Sequence, residues 1–147
     1  AQIQYDQGRN MPLRLLLGGG LRYRALNKEK SKIILGLGAM QEKERWLLPE
    51  DESVIVEKNL LKNSSYINGF VQFNDHIKLD VITYYQVGYD NEDDLFRQRA
   101  IGDIVISFKI SDKLAFLAQF NAQFENHPVI PINQFIYALK NGIRWDF

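Results

Sequence analysis

Few side chains in this chain could carry out chemistry. It contains two histidines, His76 and His127, and no cysteine, which excludes disulfides, thiolate metal sites and cysteine nucleophiles. Neither histidine has a second one at metal-ligand spacing. Only His127 stands in a long connector, where a hydrolase would still need a Ser or Asp from another loop. We therefore expect no catalytic residue, no metal and no cofactor.

Two acidic runs, at residues 90–94 and 50–52, could bind a cation. The residues Asp90-Asn91-Glu92-Asp93-Asp94 offer oxygen ligands of the kind that Ca²⁺ and Mg²⁺ prefer. The EF-hand pattern fails, because Leu95 occupies the glycine position. The alternatives are a weak surface cation site and a solvated acidic loop, and the loop is the interpretation adopted.

The elements that position these residues are strands, since alternation with a period of two dominates the sequence. From Phe135 onward, for example, every second residue is mostly apolar or aromatic, while the residues between them are mostly small or charged. The alternation predicts about eight strands, over residues 1–6, 13–25, 32–46, 64–74, 77–89, 96–110, 114–125 and 135–147. The expected fold is all-β, an antiparallel up-and-down barrel. Residues 1–147 form either this single barrel or the C-terminal portion of a larger one.

The connectors are predicted to alternate in length. Tight turns are expected at 27–30, 74–76 and 111–113, and longer connectors at 7–12, 47–53, 90–94 and 126–132, with all four prolines in connectors. Short turns at one end and longer loops at the other are typical of outer-membrane barrels.

Alternation also divides the residues between the two faces of the barrel. If the apolar face points outward to lipid, a mixed-sign charge cluster faces the lumen: Arg22, Arg24, Glu42, Glu44, Asp80, Arg97, Arg99, Asp103 and Arg144. We interpret this cluster as salt-bridge filling, with an anion-attracting constriction as the alternative. Trp46 does not fit the outward set, because its parity matches Glu42 and Glu44 unless a bulge intervenes.

The other features of the two faces are aromatic side chains and glycines. Aromatic residues fall near both ends of the outward face, as at a membrane interface: Phe73, Phe108, Phe116, Trp145 and Phe147 near one end, and Tyr89, Phe96, Phe124, Phe135 and Tyr137 near the other. Gly18, Gly20, Gly36 and Gly38 fall on lumen positions, where they either make room for long side chains or mark bends.

Composition limits the class of protein. The 147 residues carry a formal net charge of +0, which argues against a nucleic-acid partner. The hydrophobic fraction of 46% is too high for a disordered chain. Mean hydropathy is −0.27 and no long apolar run occurs, so no transmembrane helix is predicted. A membrane β-barrel remains compatible with these values.

The last residues, Lys140 to Phe147, resemble the terminal β-signal of bacterial outer-membrane proteins. Lys140, Gly142, Trp145 and Phe147 match its polar, glycine, aromatic and terminal aromatic positions. This resemblance implies a bacterial outer-membrane location and insertion by the outer-membrane assembly machinery.

Residues 13–46 and 64–147 also resemble the later strands of an uncharacterised, salt-stress-induced type of bacterial outer-membrane β-barrel family. The resemblance is carried by four segments: 17–24, 35–38 with 42–46, 108–114, and the closing strand. Members of that family often have more strands before this region, and the resemblance implies no activity.

The expected function is therefore non-enzymatic: a structural barrel or an accessory subunit of an envelope assembly. Its expected partners are outer-membrane lipid, the assembly machinery and other envelope proteins. Two alternatives stay open. One is a small, porin-like outer-membrane channel, and the other is a soluble, lipocalin-like barrel with its apolar face inside.

Overall fold

Strands and short connectors make up the computed structural model of this protein, which describes residues 1–6, 8 and 10–146. The strands are β1 (Gln2–Asp6), β2 (Met11–Lys28), β3 (Ser31–Leu48), β4 (Asp51–Gln72), β5 (Ile77–Asp90), β6 (Leu95–Lys109), β7 (Leu114–Glu125) and β8 (Phe135–Trp145). They form one sheet in sequence order with every neighbouring pair antiparallel. The predicted all-β, up-and-down arrangement of about eight strands is confirmed. In the described residues, no helix is long and apolar enough to cross a membrane.

The predicted long connector at 47–53 is wrong. The turn between β3 and β4 consists of Pro49 and Glu50, because cross-strand pairing continues through Trp46 with Val56 and Leu47 with Ile55. Among the connectors in the described part of the chain, the clearly long one spans residues 126–134, between β7 and β8. The connectors therefore do not alternate in length as expected.

The prediction that all four prolines lie in connectors is also wrong, because Pro12 lies inside β2. The pairing of β1 with β2 shifts register between Gln4 and Asp6, next to Pro12. A proline, which has no N–H to donate, is tolerated at such an irregularity.

Contacts between distant strands show that the sheet is curled. β3 and β6 lie three strands apart, which in a flat sheet would separate them by roughly 14 Å. Arg99 on β6 nevertheless donates a hydrogen bond to Glu42 on β3 over 3.0 Å. The sheet therefore forms a half-barrel whose concave face carries these side chains.

Glycines allow close approach within the curled sheet. Gly20 on β2 lies opposite Gly38 on β3, and a Cβ atom added to Gly20 would stand 2.5 Å from the carbonyl oxygen of Leu37. On the next pair of strands, the ring of Tyr66 occupies the space that a Cβ atom of Gly36 would need. Of the two expected uses of the lumen glycines, room for a long side chain is present at Gly36, while Gly20 allows a close approach of backbones that was not predicted.

Candidate functional site

The concave face is organised around the guanidinium group of Arg99. It donates hydrogen bonds to Glu42 over 3.0 Å, Glu44 over 2.9 Å and Glu125 over 2.8 Å. These acceptors come from β3 and β7, and all four side chains are at most 4% exposed. One buried cation thus joins three carboxylates from two other strands.

Two further cations complete this inner ion-pair network. Arg14 on β2 donates to Glu42 over 2.6 Å and to the side-chain oxygen of Gln4 on β1 over 2.8 Å. Lys62 on β4 forms an ion pair with the same Glu42. The network consists of Arg14, Glu42, Glu44, Lys62, Arg99 and Glu125.

Ion pairing compensates these charged side chains for their burial. Removing ionised groups from water is unfavourable unless opposite charges and hydrogen bonds compensate. In the network each carboxylate faces at least one cation, and the members come from β2, β3, β4, β6 and β7. The arrangement is suited to holding curled strands together.

A second charged group lies where β5 turns into β6. Asp90 accepts from Arg97 over 2.7 Å and lies 3.2 Å from the ammonium of Lys58. Lys58 also donates to Glu92 and Asp93, each over 2.8 Å. Hydrogen bonds from Lys58 and Arg97 hold the pKa of the Asp93 carboxyl below its ordinary value of 3.8. Three of the four carboxylates of the acidic run thus pair with the chain's own cations, and Asp94 accepts a hydrogen bond from the Tyr89 hydroxyl. No metal-binding cluster is found within the described residues.

An apolar cap, formed by Met11, Trp46 and Ile130, covers the network at the same end. Trp46 is 1% exposed and donates from Nε1 to Glu44 over 3.0 Å, so the cap is hydrogen-bonded to the network. Trp46 therefore lies on the charged face, as its parity indicates. Ile130, which is 2% exposed, belongs to the long connector between β7 and β8. This connector therefore contributes to the cap over the network.

Asn126 fixes the start of that connector. Its side chain accepts from the backbone N–H of Gln98 over 2.7 Å and donates to the carbonyl of Phe96 over 2.9 Å. Gln134 closes the other end, donating from its side chain to the Asn126 carbonyl over 2.9 Å. Hydrogen bonds thus fix both ends of the connector.

The predicted lumen cluster is divided between several places. Glu42, Glu44 and Arg99 lie together in the network, whereas Arg97 belongs to the β5–β6 group. The others form local contacts: Asp80 with Lys78 at 2.7 Å, Asp103 with Gln119 at 3.1 Å, and Arg144 with Asp146 at 3.4 Å. Arg22 and Arg24 are exposed, and the described residues offer them no ion pair.

Several residues of the interior were not in the predicted cluster. Lys58 and Lys62 lie in residues 51–63 of β4, where no strand was predicted, although both share the parity of the inward residues. Glu125 ends β7 on the polar side of its alternation, a signal that could have identified it. Arg14 likewise has the inward parity on β2.

The convex face carries the aliphatic and aromatic side chains. Leu21 is 83% exposed, Ile143 75% and Leu139 67%. Aromatic pairs lie toward both ends: Tyr89 with Phe96 at 5.1 Å between ring centroids, and Phe108 with Phe116 at 6.2 Å. An exposed apolar surface of this extent is rare on soluble monomers.

The remaining predicted residues lie on the surface. Trp145 is 56% exposed on the convex face, Lys140 is exposed, and a Cβ atom at Gly142 would meet open space. Phe147, the terminal aromatic of the predicted signal, lies outside the described residues. His76 and His127 are both exposed.

Comparisons with protein-family models, curated proteins and solved structures found no match for this chain.

Proposed function

We propose that this chain is a non-enzymatic β-barrel protein of a bacterial outer membrane that serves as a structural or accessory subunit of an envelope assembly. Its convex face contacts lipid, and ion pairs fill one end of its concave face. The observation that carries the proposal is the distribution of side chains, with buried paired charges inside and exposed apolar groups outside. In a soluble barrel the two sets would be exchanged.

The spacing of the aromatic pairs supports a lipid-facing exterior. From Phe96 to Phe108, β6 rises roughly 40 Å, which corresponds to roughly 30 Å along the axis of a barrel whose strands tilt by about 40°. The hydrocarbon core of a bilayer is about 30 Å thick. The separation of the two aromatic bands therefore matches the distance between the two interfaces, where such side chains are favoured.

A polar patch on the convex face is consistent with the same placement. Lys43 and Arg45 on β3 both lie within ion-pair distance of Glu57 on β4, at 3.3 and 2.6 Å. These half-exposed charges lie toward the β3–β4 turn. Since β3 and β4 are longer than a membrane-spanning strand needs to be, this end of the hairpin extends beyond the apolar band.

The two alternatives fit the geometry less well. A lipocalin-like protein needs an apolar interior, but the buried concave side chains are largely charged. A channel needs an open path, whereas the network and the apolar cap occupy one end of the half-barrel. No described contact favours either alternative.

Gel migration before and after boiling tests the proposal. The chain is expressed in a Gram-negative host with an added export signal, and membrane and soluble fractions are run in mild detergent. We expect it in the outer-membrane fraction, migrating differently until heat unfolds the barrel. A freely soluble protein with no heat-dependent shift would contradict a lipid-facing exterior.

A matched pair of variants makes this test specific to the convex face. Leu139→Asp places a charge among the exposed apolar groups, while Lys140→Asp changes the neighbouring residue on the opposite face. We expect the Leu139 variant to lose most of the heat-modifiable form, since a charge facing lipid is unfavourable. The Lys140 variant, refolded in detergent, should keep it.

A further inference from the structure

The convex face of the described strands carries few charged side chains, and they lie together. Apart from the strand-terminal residues Lys28 and Asp51, the charged residues with convex parity in these strands are Lys43 and Arg45 on β3 and Glu57 on β4. Strand pairing places Arg45 directly opposite Glu57. We call Lys43, Arg45 and Glu57 the convex patch. A face that is otherwise apolar or uncharged thus concentrates its charge at one place.

The convex patch lies within the sheet and away from its edges. Strand β3 has β2 on one side and β4 on the other along the whole of this region. Lys43 lies opposite Leu15 of β2 and Asn59 of β4. The position of the patch is therefore set by the pairing of strands that the structure describes.

The convex patch has one net positive charge and hydrogen-bond donors to spare. Arg45 donates from Nε to Glu57 over 2.6 Å, and the Lys43 ammonium lies 3.3 Å from the same carboxylate. The side chains of Lys43 and Arg45 are 42% and 44% exposed. The two terminal guanidinium nitrogens of Arg45 donate to no acceptor within the described residues. An anion from outside the chain can therefore approach both cations.

Exposed leucines adjoin the convex patch on the side of the apolar band. Gln41, two residues before Lys43 on the same face, pairs with Leu17 of β2 and with Leu61 of β4. Leu17 is 69% exposed and Leu61 is 66% exposed. Cationic and apolar side chains thus follow one another along the same hairpin, and a ligand with an anionic head and apolar chains matches both.

Phosphate is the anionic group that fits the cations of the convex patch best. A guanidinium presents a planar fork of N–H donors that matches phosphate oxygens, and an ammonium adds a compact positive charge. At a membrane interface, cations are attracted to anionic lipid headgroups. A free phosphate ion would contact the cations alone, whereas a phospholipid would also cover the leucines.

We propose that the convex patch binds the phosphate headgroup of an anionic membrane lipid whose acyl chains lie along Leu17 and Leu61. This inference rests on the proposed function, because it requires a convex face in contact with lipid. Lys43 and Arg45 donate hydrogen bonds to the phosphate oxygens. Glu57 holds the two cations side by side while leaving the patch positive.

Native mass spectrometry of the refolded protein in a zwitterionic detergent tests this site. Equal amounts of dimyristoyl phosphatidic acid and dimyristoyl phosphatidylcholine are added, and the first lipid bound to the protein is identified. We expect phosphatidic acid to be favoured at least about fivefold, the order expected for one net cation near a membrane surface. Excess glycerol phosphate, which has the phosphate but no acyl chains, should not displace the lipid.

A matched pair of double variants makes this test specific to the convex patch. Lys43→Gln with Arg45→Gln removes both cations and should bring the two lipids to nearly equal binding. All the groups involved are partly exposed, so the loss of these ion pairs should leave the fold intact. Lys30→Gln with Lys113→Gln removes the same charge from turns at the opposite end of the sheet and should keep the preference for phosphatidic acid.

Three results would overturn the inference: equal binding of the two lipids by the wild type, an unchanged preference in the Lys43 and Arg45 variant, or an equal loss of preference in the control. Displacement of the lipid by glycerol phosphate would also overturn it, by assigning the patch to a free phosphate compound. Heat-dependent migration is measured on the same samples. A wild-type protein that shifts on heating and shows no lipid preference contradicts this inference while leaving the proposed function intact.

Discussion

At the scale of single residues, Arg99 has the largest role in the interior. Its guanidinium is 4% exposed and is shared by Glu42, Glu44 and Glu125. Removing one partner of a buried ion pair leaves an uncompensated charge, which is far more unfavourable than losing an exposed pair.

Replacement of Arg99 tests this difference. Arg99→Met keeps much of the volume but removes the shared cation, and we expect it to lower the free energy of unfolding by about 3–5 kcal/mol. Lys30→Met is the control, since its pair with Asp75 is exposed on both sides, and it should cost less than about 1 kcal/mol. Urea unfolding in detergent, followed by intrinsic fluorescence, measures both. Equal effects would show that the network does not hold the strands.

A second residue-scale prediction concerns the contact of Gly36 with Tyr66. Gly36→Ala places a methyl group where the Tyr66 ring lies and should destabilise the fold by about 1–3 kcal/mol. Gly19→Ala, with open space around its added Cβ, should change stability by less than about 0.5 kcal/mol. In the background of Tyr66→Ala, the effect of Gly36→Ala should largely disappear. Persistence of the full effect there would contradict a steric cause.

At the scale of elements, alternation predicted some strands far better than others. Strands β7 and β8 alternate cleanly and begin where predicted, at Leu114 and Phe135. The part of β4 from Asp51 to Asn63 was missed, because it mixes charged and apolar residues on both faces. The ion-pair partners of Glu42 could not be predicted from parity, which gives the face of a residue but not the strand opposite it across the curl.

The connector between β7 and β8 provides the element-scale prediction. Asn126→Ala removes the side-chain bonds to the backbone of Phe96 and Gln98, so the connector should detach and expose Ile130. We expect faster cleavage by proteinase K within 126–134, mapped by mass spectrometry. Asn91→Ala, in the turn between β5 and β6, is the control and should leave that rate unchanged. An unaltered cleavage rate in the Asn126 variant would mean that other contacts hold the connector.

At the scale of the whole molecule, a neutral chain separates its charges from its apolar groups. The formal net charge is +0, yet charged side chains dominate the buried concave face, and the convex face exposes aliphatic and aromatic groups. Sequence alternation predicted this separation, but it could not decide which face is inside. The curl of the sheet shows that the charged face is the concave one, because it brings Arg99 and Glu42 together.

The filled end of the interior predicts that this chain alone forms no stable channel. The network and the apolar cap lie at one end of the half-barrel, and Trp46 and Ile130 are almost fully buried there. Purified protein in a planar bilayer should give no steady conductance steps above the lipid baseline. Reproducible steps that disappear when the interior charge is altered by Arg97→Gln would favour the channel alternative.

The two tryptophans allow the most direct test of the lipid-facing exterior, because Trp145 is 56% exposed on the convex face and Trp46 is 1% exposed beneath the cap. Wild-type protein and Trp145→Phe are reconstituted into vesicles of ordinary or brominated phosphatidylcholine, and tryptophan fluorescence is compared. Strong quenching of the wild type by brominated lipid, lost in Trp145→Phe, is the expected result. Equal quenching of both proteins, or none in either, would contradict a convex face in contact with lipid.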